Sequence, residues 1–288
     1  MTMTTLGVIG GSGLYQMSGM QKGEWVPVET PFGAPSDAYF VGEIDGVRVV
    51  FLPRHGRGHR LLPSELNFRA NIYGMKKLGV ERLIAVSAVG SLKKEIAPGE
   101  IVIPDQFIDR TRGRISTFFG SGIVAHVSFA DPVCGELTRL LVEVGREAGA
   151  IVHQGGTYIC MEGPQFSTRA ESYLYRSWGA DIIGMTNLQE AKLAREAELC
   201  FATLALATDY DCWNTDHGDV VIEDVLAILG KNVATAQAII RNTIPRFSRT
   251  WNCPCAHALK DAIITDRSLI PATVKRELAP IVGKYLEE

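Results

Sequence analysis

Long apolar runs are missing from this chain. A bilayer-spanning helix needs about 20 consecutive apolar residues, and no run here reaches that length, so no membrane role is expected. An excess of one charge is missing too. Lys and Arg number 29 against 32 Asp and Glu, a net charge of −3. That balance describes an ordinary enzyme surface and excludes a nucleic-acid-binding one. Cysteine is scarce, with six in 288 residues, which is too few for a disulfide framework. Cys134, Cys160, Cys200 and Cys212 lie singly, and only Cys253 and Cys255 are close in sequence. Residues 1–5 lack a basic region, and the apolar residues 6–10 are too short for a signal-peptide core, so a cytoplasmic location is expected. There is no linker rich in Gly, Pro or Ser, no repeat and no low-complexity tract. One domain over residues 1–288 is expected, with residues 252–288 as a C-terminal helical extension.

Apolar strands alternate with helical segments. Strands are expected at residues 6–9, 36–44, 47–53, 83–86, 100–104, 156–161, 181–185 and 199–207. Asp45-Gly46 marks a hairpin between the second and third of these. Helices are expected at 64–78 with Ser64 as cap, 132–148, 167–177 with Ser167 or Thr168 as cap, 188–198, 222–243 and 271–286. Helices between apolar strands imply an α/β fold, a central mixed, mostly parallel β-sheet flanked by helices. Ligands of such sheets bind beyond the carboxyl ends of the strands.

The densest chemistry lies at the end of residues 199–207, where Thr208-Asp209-Tyr210-Asp211-Cys212-Trp213 follows. In extended chain, residues i and i+2 share a side, so Asp209 and Asp211 can converge on one ligand. Two carboxylates at a water-poor strand end need a partner, which an aminopurine edge with its N–H donors supplies. A turn with two solvated aspartates is the alternative. Gly7-Val8-Ile9-Gly10-Gly11-Ser12-Gly13 offers backbone N–H groups and a hydroxyl to an anion. It is neither a Walker loop, for want of a Lys, nor a dinucleotide fingerprint, for want of the GxGxxG spacing. Arg54-His55-Gly56-Arg57-Gly58-His59-Arg60 follows a strand with forked cations suited to an oxyanion. A metal is not expected there, because no carboxylate or thiol accompanies the histidines. Ser87-Ala88-Val89-Gly90-Ser91, Gly184-Met185-Thr186 and the stretch from Met161 to Glu171, with Phe166 as a ring for a base or for the core, complete the set.

Taken together, GVIGGSGLY from Gly7, RHGRGH from Arg54, SAVGSL from Ser87, IPDQFIDRT from Ile103, EGPQFSTRAES from Glu162, MTN from Met185 and ATDYDCW from Ala207 resemble the trimeric-type purine nucleoside phosphorylases over nearly all of residues 6–250. The resemblance is greatest to members that act on S-methyl-5′-thioadenosine. It implies phosphorolysis of that nucleoside to adenine and 5-methylthioribose 1-phosphate, a step in purine and methionine salvage. The alternative is a purine nucleoside phosphorylase with a broader or 6-oxopurine preference. The resemblance places Ser12, Arg54, His55, Ser87, Ala88 (through its N–H) and Thr186 on phosphate. It places Asp209 and Asp211 on the base as catalytic residues, Phe166 beside the base, Met185 under the ribose, and Ile222, Val225, Leu226 and a neighbouring subunit's copy of His126 around the 5′ group. It implies a homotrimer or dimer of trimers, no metal and no organic cofactor, with inorganic phosphate as co-substrate. Relatives that use 6-oxopurines carry Asn where Asp209 stands, so Asp at both 209 and 211 points to 6-aminopurines. Cys253-Pro254-Cys255 is similar to the CxC pairs of some microbial relatives, either bridged or as two reduced thiols. The apolar residues 117–131 are expected either to pack over their own subunit or to cross to a neighbour.

Overall fold

The computed structural model describes residues 4–286, apart from residues 12, 15, 16, 18, 216–221, 249 and 250 and the side chains of 222–227, 229 and 248. In chain order its elements are β1 (Thr5–Gly10), β2 (Gln21–Val26), β3 (Tyr39–Ile44), β4 (Val47–Pro53), α1 (Phe68–Lys77), β5 (Val80–Ser91), β6 (Ile101–Ile103), β7 (Gln106–Arg110), α2 (Gly135–Glu147), β8 (Val152–Gln154), β9 (Thr157–Met161), α3 (Arg169–Ser177), β10 (Ile182–Gly184), α4 (Asn187–Glu196), β11 (Cys200–Tyr210), α5 (Ile222–Thr243), α6 (Ala272–Glu277) and α7 (Ala279–Leu286). The strands form one sheet in the order β2-β3-β4-β1-β5-β10-β9-β7, with β11 paired to β5 and β6, and β8 to β6. Parallel pairings join β1 to β4 and β5, β5 to β11, β9 to β10 and β7, and β6 to β8. The sheet is therefore mixed and mostly parallel, as expected.

Strand alternation sorts the apolar residues onto two faces. On β5, Leu83 and Ala85 join one core with Phe68 and Ile72 of α1 and Ala191 and Ala194 of α4. Ile84 and Val86 join the other, with Leu137 and Leu141 of α2 and Ile239 and Ile240 of α5. The hairpin turn has both central residues at positive φ, Asp45 at 50° and Gly46 at 78°, the combination whose twist suits a two-residue loop.

Several boundaries differ from expectation, and β2, β7 and β8 were not expected at all. Ser64 does not cap α1: it sits in a short 3-10 turn, Pro63–Glu65, and the helix begins after Asn67, whose side chain accepts from Ala70 N–H. Of the two candidate caps of α3, Thr168 serves, in a reciprocal box with Glu171. The C-terminal helical segment divides into α6 and α7, and Leu278, Ile281 and Val282 pack into the same core as α1. Within residues 117–131, Phe118 and Ile123 are buried in the chain's own core, and Phe119, Val127 and Phe129 pack against it. His126 and Val124 point outward.

Candidate active site

Parallel register brings the chemistry to one end of the sheet. Gly10 pairs with Pro53, and Ile9 with Ala85, so the residues that follow β1 and β4 emerge beside Val86 and Ser87 of β5. Strand β11 continues the row, with Ala205 opposite Ser87 and Asp209 opposite Gly90. The long β5 runs on to pair antiparallel with β10, Gly90 opposite Ile183, which returns the β10–α4 turn toward Ser87. Tyr158 of β9 links them. Its hydroxyl lies 3.3 Å from Ser87 Oγ, and a Cβ on Gly184 would come within 1.9 Å of it.

Arg54 is only 4% exposed. Its Nε and Nη2 donate to the two carboxylate oxygens of Glu190 at 2.6 and 2.9 Å, and Nη1 donates to the Val86 carbonyl at 2.7 Å. A longer contact reaches the Ile9 carbonyl at 3.4 Å. A guanidinium has five N–H donors, so the protein engages most of the fork. Arg54 thus ties the ends of β1, β4 and β5 to α4 and leaves at most one N–H and its positive charge for an anion. Glu190, itself held by Asn187 Nδ2, was not anticipated.

The rest of the basic loop divides. Arg57 and Arg60 reach outward and pair with Asp37, and Arg57 also covers the Trp25 ring at 4.1 Å. His55 turns inward. Burial, reinforced by Arg54 and His59, lowers its pKa to about 4, so it is neutral at pH 7. Its Nδ1 lies 2.8 Å from the Leu61 carbonyl. In the neutral ring that nitrogen is the donor, which leaves Nε2 with a lone pair.

Thr186 is buried and stands at the cap of α4, yet its side chain makes no capping hydrogen bond. A spare hydroxyl at a ten-residue helix's N-terminus suits an anion. Ser87 is buried with only long contacts, and Ala88 is exposed.

Asp209 and Asp211 converge as their spacing suggests. A Cβ at Gly90 would lie 3.0 Å from Asp209 Oδ2 and 3.5 Å from Asp211 Cβ, so both aspartates sit over that glycine. A bulge at Thr208, where the β11–β5 register shifts, turns Asp209 toward it. Burial raises the Asp209 pKa to about 6, with the Asp211 charge adding to the rise and the Thr208 hydroxyl opposing it from 2.8 Å. Burial also raises Asp211, against the hydroxyl of Ser172. Asp211 is 3% exposed, and its Oδ2 has no hydrogen-bond partner. An orphaned buried carboxylate oxygen calls for a donor.

Met185 lies against Gly163, whose missing side chain leaves room for the thioether. The Met185 carbonyl accepts from Arg114, which also donates to Glu162. Arg114 was not anticipated, because its partners lie far along the chain. Phe166 is 46% exposed and so is not a core residue. His126 is exposed, anchored by its N–H to the Ala262 carbonyl. Ser12 lies outside the described residues, as do the side chains of Ile222, Val225 and Leu226. At the far end of β11 the cysteines correct their sequence reading: Cys134 and Cys200, single in sequence, meet Cys253 and Cys255.

The profile of the Phosphorylase superfamily matches residues 5–245. The S-methyl-5′-thioadenosine phosphorylase of Geobacter sulfurreducens is 64% identical over 98% of this chain and 99% of its own length. That of Koribacter versatilis is 59% identical over 98% of this chain and 97% of its own. Among solved structures, a methylthioadenosine phosphorylase from an Antarctic soil metagenomic library superposes with a TM-score of 0.93 at 48% identity, over 98% of this chain and 99% of that one. An adenosine/methylthioadenosine phosphorylase variant from Schistosoma mansoni in complex with adenine gives a TM-score of 0.82 at 32% identity, over 97% and 98%. With the superfamily profile spanning most of its length and relatives this similar over nearly all of it, the chain belongs to the phosphorylase superfamily.

Proposed function

We propose that this chain transfers the 5-methylthioribosyl group of S-methyl-5′-thioadenosine to inorganic phosphate, releasing adenine. The observation that carries the reading is the pair of buried aspartates beside Gly90: the Asp209 carboxyl lies against that glycine with its pKa raised to about 6 by burial, and Asp211 is buried next to it. A phosphate oxygen attacks C1′ as the C1′–N9 bond breaks, and the electron pair of that bond leaves with the purine. Protonated Asp209 donates to N7 of the departing base, and its carbonyl oxygen accepts from the 6-amino group. Asp211 accepts a further N–H. A 6-oxopurine would set a carbonyl oxygen against these acceptors, which costs affinity through unpaired polar groups.

Phosphate is held by the Ser87 hydroxyl, the Ala88 N–H, the Thr186 hydroxyl and helix terminus, Ser12, and the residual donor and charge of Arg54. At neutral pH inorganic phosphate, as the mono- or dianion, carries at least one O–H, and His55 Nε2 accepts it. The anion then stabilises positive charge developing on the ribose. Phe166 flanks the base, Met185 the ribose, and Ile222, Val225 and Leu226 the methylthio group. No metal or organic cofactor takes part in this chemistry.

We further infer a cytoplasmic homotrimer, or a dimer of trimers, in which His126 closes a neighbour's pocket. Among the described residues no helix is long and apolar enough to cross a membrane. Support for assembly lies in the exposed apolar side chains of Val124 and Ile264, whose backbones are joined by a hydrogen bond beside His126 and which a neighbouring subunit would cover. The test is product analysis. S-methyl-5′-thioadenosine with phosphate should yield adenine and 5-methylthioribose 1-phosphate in equal amounts, and nothing without phosphate. Free 5-methylthioribose in phosphate-free buffer would instead indicate a hydrolase.

A further inference from the structure

The Sγ atoms of Cys134, Cys200, Cys253 and Cys255 all lie within 4.8 Å of one another. They come from three separate places: the residue capping α2, the first residue of β11, and a short 3-10 turn, Pro254–His257, that opens the C-terminal extension. All four are free thiols, and Cys200 and Cys253 approach to 3.3 Å. Zinc bound by four thiolates at about 2.3 Å holds them about 3.8 Å apart in a closed tetrahedron. Four soft donors, no carboxylate and little solvent make the donor set of a structural site. The cluster lies in an apolar core with Phe247 and Trp251.

A second group points to the same occupant. Arg82 is 7% exposed, and its Nε and Nη1 have no hydrogen-bond partner. Its guanidinium lies over the Trp251 ring at 4.2 Å, its nearest carboxylate is the exposed Glu81 at 3.6 Å, and Cys200, Cys253 and Cys134 lie within its field. A buried cation with idle donors beside four thiols suits a centre of net charge −2, which four thiolates and Zn²⁺ make. N–H···S bonds from outside the ligand set orient such ligands.

We propose that Cys134, Cys200, Cys253 and Cys255 bind one structural zinc ion that pins the C-terminal extension to the sheet. The site stands apart from catalysis. Cys200 begins β11 and Asp209 nears its end, so about nine strand residues, roughly 30 Å, separate them. Zinc would clip residues 251–286, which carry α6 and α7, onto the core that they cover.

The test uses the full chain, reduced, incubated with zinc and dialysed. Metal analysis should find about one zinc per chain, and four of the six cysteines should resist alkylation until a strong chelator is added. Cobalt in place of zinc should give thiolate-to-metal charge-transfer absorption and tetrahedral d–d bands. Chelation should lower the thermal midpoint. The Cys253→Ser/Cys255→Ser double variant should lose the metal, and Arg82→Met, which keeps every thiol, should bind it at least tenfold more weakly. The proposal is overturned if the reduced wild-type chain retains no more zinc than the double variant. It is overturned equally if mass spectrometry shows these cysteines joined as disulfides that re-form in the presence of zinc.

Discussion

At the scale of single residues, the protonation of Asp209 decides the chemistry. Its folded pKa of about 6 lies above the ordinary 3.8. A general acid is active while protonated, so kcat/KM for S-methyl-5′-thioadenosine should fall as pH rises through about 6, and the Asp209→Asn variant should lack that limb. The same shift has a stability consequence. Because the folded pKa is raised, the favourable contribution of the protonated group is complete below 3.8 and is lost as pH rises through 6. Asp209→Asn should therefore melt higher than the parent well above pH 6 and equally at acid pH, with the gap opening between. A constant difference across pH would contradict the assignment.

Arg54 requires a test that separates its two tasks. With both partners nearly buried, Arg54→Ala should cost about 3–5 kcal/mol, because Glu190 is left charged and unpaired. Arg54→Met with Glu190→Met should recover much of that loss in denaturant unfolding, yet remain without phosphate-dependent turnover. Recovery of both would reduce Arg54 to a structural role.

At the scale of elements, β5 and β11 form the purine end together. Gly90 permits it, since an added Cβ would meet Asp209 Oδ2 at 3.0 Å and Ile183 Cγ2 at 3.1 Å. Gly90→Ala should displace Asp209 and lower kcat/KM at least tenfold while costing only about 1–3 kcal/mol; unchanged turnover would show that the carboxyl does not depend on this fit. Asp209 and Asp211 were legible in sequence because strand period is local and both residues follow one apolar run. The bulge at Thr208 and the glycine under them were not, because both depend on register with β5. Glu190 lies 136 residues from Arg54, and Arg114 lies 71 from Met185, so no spacing rule connects them. The basic loop read as one anion site, yet its arginines divide between Glu190 and Asp37, two carboxylates that only the fold brings near. The start of α1 was misplaced because Pro63-Ser64 form a 3-10 turn of their own, with the helix cap four residues beyond Pro63.

At the scale of the molecule, alternation of strand and helix carried the fold class, since buried strands and helix stripes leave periodic marks. What crosses the whole chain left none. The four-cysteine cluster joins residues separated by up to 121 positions (255 − 134). The proposed assembly predicts shared sites, with His126 of one subunit closing the 5′-methylthio end of another's sugar pocket. Mixing Asp209→Asn and His126→Ala subunits should restore part of the activity, because some mixed interfaces unite the two intact residues. Mixed oligomers without recovery would contradict sharing.

The central claim is that two buried carboxyls select and expel a 6-aminopurine. Competition between S-methyl-5′-thioadenosine and its 6-oxo counterpart, at equal concentration with saturating phosphate, tests it most directly. The ratio of specificity constants should favour the 6-amino nucleoside by at least about tenfold, the equivalent of about 1.4 kcal/mol for one mismatched polar contact, and Asp209→Asn should shift it toward the 6-oxo compound. Equal use of both nucleosides, or a ratio unmoved by that substitution, would contradict the account.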